Sequence, residues 1–234
     1  MPPTPTSPTN SNERFSPTPR TTLKRRAFRG RYERAVAHAI LDEGLVCHVA
    51  FVVDGNPVVI PTAYARVGDA IYLHGSSGNR MLRALVSGAQ ACITVTLVDG
   101  LVLARSAFHH SMNYRSVVIF GTGERVTDPA EHVRALEAVV DHIVPGRRSF
   151  VRAPNREESL QTLVVRFPLE ECSVKERMGG PIDDEEDHRL DVWAGTIPLT
   201  LVAGAPQDDP MVPPRAAVPE HALDYRRPAA QQQR

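Results

Sequence analysis

Short β-rich runs separated by tight turns fill the middle of the chain, and that rhythm restricts it to antiparallel pairing. Leu45 to Val53, Pro57 to Arg66 and Ala70 to His74 follow one another with only Asp54-Gly55-Asn56 and Val67-Gly68-Asp69 between them. Such brief connections return a chain alongside itself, whereas a parallel neighbour needs a crossover of about a dozen residues. Ala91 to Val98 alternates Cys92, Thr94 and Thr96 with Ile93, Val95 and Leu97, the period of a strand with one buried face. Asp99-Gly100 then predicts a two-residue hairpin, with Leu101 to Ser106 as the returning strand. Tyr114 to Val126 reads as a long strand with Gly121 and Gly123 as bulge points, and Leu160 to Pro168 and Leu169 to Lys175 extend the series. At least six strands in hairpin order, with few helices, predict a mainly β protein built as an antiparallel barrel rather than a doubly wound sheet.

The helices are peripheral in this reading. Tyr32, Val36, Ala39 and Ile40 recur at helical spacing within Arg31 to Glu43, and Gly44 is the stop. Asn79 to Ser87 is a short helix, and Asn155 to Ser159 a shorter polar one. Asp128-Pro129-Ala130-Glu131 predicts a helix start: Asp128 caps, Pro129 suits the first helical position, and Glu131 stands where a capping-box acid belongs. Val133, Leu136, Val140 and Ile143 give that helix one apolar stripe, and Pro145-Gly146 ends it.

Of the 20 prolines, six lie in the first 20 residues and six after Ala205, which marks both ends as poor material for a core. Residues 1–22 and 205–234 are therefore expected to be disordered tails around a single domain spanning 23–204. Lys and Arg number 27, as do Asp and Glu, so there is none of the basic surplus of a nucleic-acid-binding protein, although a local basic patch stays open. No run of about 18 apolar residues exists to span a membrane. No secretory signal opens the chain, and Cys47, Cys92 and Cys172 are few and scattered. Together these predict a reduced, cytoplasmic protein without structural metal.

The common catalytic signatures are missing: there is no nucleophile elbow, zinc-binding HExxH, CxxC pair, P-loop or dinucleotide fingerprint. What remains is a set of donors at strand ends. Tyr72-Leu73-His74-Gly75-Ser76-Ser77-Gly78-Asn79-Arg80 ends a strand, turns through small residues and opens a helix, an arrangement suited to phosphate or to a plain surface loop. His109 to Ser116 is a donor-rich loop feeding a strand. Pro61 inside a strand implies an edge, a bulge or a ligand meeting free backbone. Lys175 to Gly180, with the lone Trp193 downstream, is the fourth segment; Trp193 is either a core or interface residue or a lid.

Taken together, PVVIPTAYARVGDAIYLHGSSGNRM, DGLVLARSAFHHSMNYRSVVIFGTGERV, the helix after Asp128 and SVKERMGGPIDDEEDHRLDVWAGTIPL resemble the pyridoxamine 5'-phosphate oxidase-like flavin-nucleotide-binding proteins, near the nitroimidazole-resistance reductases. The resemblance covers roughly Leu23 to Leu201. It implies a six-stranded antiparallel split β-barrel that forms a homodimer, with FMN at each of two interface sites. The family's phosphate-side strand matches Pro61, Thr62 and Tyr64, and its strand-to-helix turn matches His74, Gly75, Ser76 and Arg80. An Arg-Gln pair directed at the flavin matches Arg115-Ser116, with Ser in place of Gln. A His beside the flavin in the nitroimidazole branch matches His74, which is the implied catalytic residue. The C-terminal Arg and Trp of the vitamin B6 oxidases have no intact counterpart; Lys175, Arg177 and Trp193 are the nearest candidates, which argues against vitamin B6 oxidation. The implied activity is FMN-dependent transfer of electrons from NAD(P)H to a small acceptor. The alternatives are a non-enzymatic flavin-binding or redox-sensing module, or the same barrel holding haem through His109 or His110, or a deazaflavin.

Overall fold

The structure is a computed structural model that describes residues 13–226. Its strands, in chain order, are β1 (Gly30–Arg31), β2 (Val46–Val53), β3 (Asn56–Ala63), β4 (Ala65–Val67), β5 (Ala70–Ser76), β6 (Gln90–Leu103), β7 (Ser111–Thr122), β8 (Glu124–Arg125), β9 (Thr162–Pro168), β10 (Glu171–Arg177) and β11 (Gly195–Pro198). The α-helices are α1 (Arg34–Glu43), α2 (Arg80–Val86), α3 (Pro129–Ile143), α4 (Arg156–Gln161) and α5 (Glu220–Leu223). Every strand pairing is antiparallel.

Two sheets form the split barrel. One has the order β1-β10-β7-β6-β2-β3, with β11 on β6, and the other the order β4-β5-β9-β8. The chain passes between them at Tyr64, between β3 and β4, and at Gly123, between β7 and β8. Gly123 is required by close approach: a Cβ there would lie 2.6 Å from Val165 Cγ1 and 3.0 Å from Leu85 Cβ. Between the sheets, Val49, Phe51, Ile93, Val117 and Ile119 meet Ile71, Leu73, Val165 and Phe167, with Leu41 of α1 and Leu82 and Leu85 of α2. Burying each such side chain contributes about 1.5–3 kcal/mol. The other face of the small sheet is covered by α3, where Ala135 packs with Ala70, Tyr72, Val126 and Val164.

The helix signals translate directly. Asp128 accepts hydrogen bonds from Ala130 N and Glu131 N, and Asn79 accepts one from Leu82 N. Glu131 does not complete a capping box; its carboxylate accepts from the Tyr72 hydroxyl at 2.8 Å, tying α3 to β5. The capping box forms instead at α4, between Asn155 and Glu158.

Asp99-Gly100 is not a hairpin. β6 runs through it, with Val98 opposite Tyr114 and Gly100 opposite Asn113, so Asp99 is the extra residue of a bulge. Tertiary partners override the local turn preference here. β11 lies against the second half of β6, and a Cβ on Gly100 would come within 2.9 Å of Ile197 O. Asp99 meanwhile accepts hydrogen bonds from Arg115. Gly121 pairs with Ala91 of β6 without a register shift, and Gly123 lies beyond that ladder, at the crossing into β8. Pro61 stands, with Pro57, on β3, the terminal strand of its sheet, which is the edge alternative of the sequence reading.

The folded unit also begins earlier than Leu23. Phe15 is buried in the main core, its N–H donates to Tyr32 O, and the Arg34 guanidinium lies 4.4 Å from its ring centroid. Thr21 is buried as well, and its carbonyl accepts from the Tyr32 hydroxyl. One aromatic ring in a Pro/Thr-rich stretch is enough to anchor it, because covering that ring outweighs the poor composition around it. The rest of the expected tails, residues 1–12 and 227–234, lies outside the described residues. Between 205 and 226 only α5 is helical, and His221 packs on Phe150 with ring centroids 4.6 Å apart.

Candidate functional site

The strand alternation sorts the expected site residues onto different surfaces. β5 sends Ile71 and Leu73 into the main core and Ala70 and Tyr72 toward α3, so His74 and Ser76 follow the α3 side by parity. His74 stands opposite Val164 of β9. Its Nδ1 is buried without a hydrogen-bond partner, and burial lowers the imidazole pKa, which favours the neutral ring. Gly75 faces inward, where a Cβ would lie 3.2 Å from Leu82 Cδ1. Ser76 Oγ accepts from Gly78 N at 3.2 Å, which shapes the turn into α2.

Beyond that turn lies an open cleft of about 410 Å³ lined by Val53, Gly78, Arg80, Arg83, Ala84 and Ser87. Arg80 and Arg83 are three residues apart on α2 and so share a face. Among the described residues, neither guanidinium meets a carboxylate, whereas Arg66, Arg105, Arg115, Arg152 and Arg166 each do. Arg83 was not among the expected residues, although the predicted helix placed it one turn from Arg80.

Two expected ligand residues are committed elsewhere. Tyr64 is fully buried; its hydroxyl donates to Leu41 O at 2.6 Å and its ring packs on His142. It is part of the core at the crossing between sheets. Arg115 faces inward beside Val117 and is held by two carboxylates. Nη1 lies 2.6 Å from Glu43, Nη2 2.7 Å from Asp99, and Nε 2.9 Å from Asp99. Those bonds raise its pKa and hold β7, α1 and the β6 bulge together. Adjacent strand residues alternate in sequence reading, but nothing local to Arg115 announces Glu43 or Asp99.

Pro61, Ser116 and Lys175 lie on the outward rows of the large sheet. Ser116 stands opposite Lys175 and donates to its carbonyl at 3.2 Å. Thr62 takes the inward parity opposite Cys47. Arg177 is 6% exposed and donates to Asn113 Oδ1, Gly179 O and Gly180 O. Trp193 is not a core residue: it is 66% exposed, with its ring against Gly195. His109 is bonded to Asp184 at 3.1 Å and His110 Nδ1 to Ser106 O at 2.9 Å.

The outward rows of β2 (Val46 to Val52), β3 (Pro57 to Ala63), β6 (Cys92 to Val98) and β7 (Tyr114 to Phe120) contain no Asp, Glu, Lys or Arg. Val46, Val52, Val59 and Val98 are exposed on this continuous neutral face. Of the cysteines, Cys47 and Cys172 are buried on the inner side, with their thiols pushed up to about 12, while Cys92 is half-buried on the outward row. No helix of the described residues is long and apolar enough to cross a membrane.

Comparison with known proteins bears on this architecture. The flavocytochrome Anf3 from Azotobacter vinelandii is 39% identical, covers 91% of this chain and 99% of its own, and superposes with a TM-score of 0.85. The FAD and haem binding protein from Mycobacterium smegmatis is also 39% identical, over 82% of this chain and 95% of its own, with a TM-score of 0.79. A putative 5-nitroimidazole antibiotic resistance protein from Bacteroides thetaiotaomicron shares the fold at 22% identity, with a TM-score of 0.51 over 61% of this chain and 83% of its own. No curated protein matches the sequence. The sequence model described as Pyridoxamine 5'-phosphate oxidase matches residues 33–176, from the start of α1 through β10, which takes in both sheets except β1 and β11. With the antiparallel split barrel and that match, the chain belongs to the pyridoxamine 5'-phosphate oxidase family.

Proposed function

We propose that this protein binds a flavin nucleotide as a homodimer and passes electrons from NAD(P)H to a small acceptor. The observation that carries the reading is the corner from Ser76 to Arg83, where two guanidiniums without carboxylate partners border an open cleft. Unpaired guanidiniums are suited to phosphate oxygens, which they bind in a fork. The two relatives at 39% identity are described as a flavocytochrome and as a FAD and haem binding protein. FMN is the cofactor the sequence resemblance implies; two free guanidiniums suit the two phosphates of FAD equally well. A bound flavin would supply the hydride chemistry, so this chain needs to bind and orient it rather than to provide an acid–base set. Arg80 and Arg83 would hold phosphate, and the neutral His74 ring would offer a hydrogen bond from its free nitrogen.

The neutral outward face supports the homodimer. An uncharged sheet face with four exposed valines is atypical of a solvated surface and fits an interface core, which is depleted of charge. Of the residues the resemblance places at the flavin, Pro61 and Ser116 lie on that face and His74 lies on the other sheet.

Haem as an additional or alternative ligand is the second reading, favoured by the unpartnered, buried Nδ1 of His74. A neutral imidazole with a free nitrogen is what axial ligation of iron requires. His109 and His110 already have hydrogen-bond partners.

The test is an absorption spectrum of the purified protein, taken before and after anaerobic addition of NADPH. Oxidised-flavin bands that bleach with NADPH and return with an acceptor are expected, and a Soret band would report haem. Flavin that stays oxidised with NADH and NADPH would leave a binding module. A colourless protein that takes up neither FMN nor FAD would remove the reading altogether. Denaturation and chromatography of the released cofactor separates FMN from FAD.

A further inference from the structure

The segment from Lys24 to Arg31, KRRAFRGR, carries five cations and no acid. Its single helical turn, Ala27–Arg29, leads into β1, which pairs with β10 so that Gly30 stands opposite Lys175 and Arg31 opposite Val174. The turn Ala27–Arg29 itself packs against β10. Lys175 and Arg177 share the outward row of β10, and Gly30 adds no side chain over Lys175.

Arg177 is the anomaly in this region. It is buried, yet its guanidinium donates only to uncharged oxygens, those of Asn113, Gly179 and Gly180. Its Nε has no partner. A buried cation without an anion is costly, and an anion brought to it relieves that cost. Burial lowers the proton affinity of Arg177, and the positive charges of Arg29 and Arg26 lower it further. Among the described residues no carboxylate bonds Arg26, Arg29, Lys175 or Arg177. The nearby Arg31, on the other parity of β1, does find Glu176 at 3.6 Å.

We infer that Arg26, Arg29, Lys175 and Arg177 form a second anion site, sharing no residue with the Arg80–Arg83 cleft, that takes the phosphate or diphosphate group of a small molecule. Four cations on two paired segments fit a multiply charged group better than a single carboxylate, and arginine forks match phosphate oxygens. The buried position of Arg177 selects for size. A nucleic-acid backbone or a lipid surface can touch the exposed Lys24, Arg25 and Arg26, but only a small group reaches a side chain that is 6% exposed. This inference does not depend on flavin binding.

The test is calorimetric titration of the full-length protein with pyrophosphate, at an ionic strength held constant with chloride. Pyrophosphate is expected to bind the parent protein. The double variant Arg26→Ala/Arg29→Ala should weaken it at least about tenfold, the effect of losing one charge-assisted contact. Arg80→Ala/Arg83→Ala should leave a pyrophosphate response intact, and so should prior saturation with FMN or FAD. Arg177→Lys, which keeps the charge and loses the fork, should weaken binding without removing it. Absence of heat above the chloride control overturns the inference. So does a response lost in the Arg80/Arg83 variant and kept in the Arg26/Arg29 variant. Binding of a short DNA duplex or of phosphatidylserine vesicles through Arg26 and Arg29, without pyrophosphate binding, assigns the segment to a macromolecular surface and also overturns it. A protein that takes no flavin yet binds pyrophosphate through Arg26 and Arg29 would fail the cofactor reading and keep this one.

Discussion

At Arg115, one guanidinium is shared by Glu43 and Asp99, whereas at α2 two guanidiniums, Arg80 and Arg83, face a cleft with no carboxylate between them. The residue type is the same and the consequences are opposite. Arg115 has its donors engaged by the fold, joining a helix, a strand and a bulge. Arg80 and Arg83 keep theirs available. An arginine's chemistry is therefore decided by what the tertiary structure has already given it, and the site should be sought where donors remain unmatched.

The largest expected effect tests the committed side of this contrast. Arg115→Leu should cost roughly 2–4 kcal/mol, read from urea denaturation, because it removes the cation between two part-buried carboxylates. A loss below about 0.5 kcal/mol would make Arg115 no more structural than an exposed pair. Flavin affinity per folded molecule should not change in this variant. The reverse pattern is expected for Arg80→Ala. Stability should stay within about 0.5 kcal/mol, and flavin affinity, followed by fluorescence titration, should fall by about 1.5–3 kcal/mol. An unchanged titration would make Arg80 a solvated surface residue.

His74 sharpens the comparison through pH. Burial depresses its folded-state pKa below the ordinary imidazole value of about 6.5, so the unfolded chain binds the proton more readily. The stability linked to His74 is complete above that ordinary value and is lost as pH falls from it through the depressed folded value. His74→Gln should flatten this part of the stability–pH curve; His38, also depressed mainly by burial, should keep some slope. An identical slope in parent and variant would mean that the ring gains a partner in solution. The smallest effect concerns the two faces of the large sheet. Cys92, on the outward row, should react with a thiol reagent well before Cys47 or Cys172, whose burial holds both thiols protonated. Its rate should fall as protein concentration rises, since a second copy on that face would cover it. A rate independent of concentration would argue against the proposed interface.

The sequence announced the elements whose signals are local. Asp128 and Asn79 cap the helices they introduce, Gly44 follows α1, and the alternation of Cys92 to Leu97 marks inner and outer faces correctly. The misreadings at Asp99, Glu131 and Phe15 involve partners distant in the chain. Asp99-Gly100 becomes a bulge because β11 arrives from Gly195–Pro198 and Arg115 from β7. Glu131 turns from its own helix end to Tyr72, 59 residues away. Phe15 joins the core through Tyr32 and Arg34 although its neighbours have tail-like composition. The candidate site was legible as the Tyr72–Arg80 segment, whose strand, turn and helix lie where expected. The roles of Tyr64 and Arg115 were not, since Leu41, Glu43 and Asp99 meet them only after folding.

β3 ends its sheet, and it carries Pro57 and Pro61 four residues apart, on the same parity. Neither nitrogen can donate, so this edge lacks two backbone donors along its length. Growth of the sheet by annealing of a foreign or misfolded segment is thereby made less favourable at this margin. The neutral sheet face and the edge of the same sheet thus differ in what they offer a second chain.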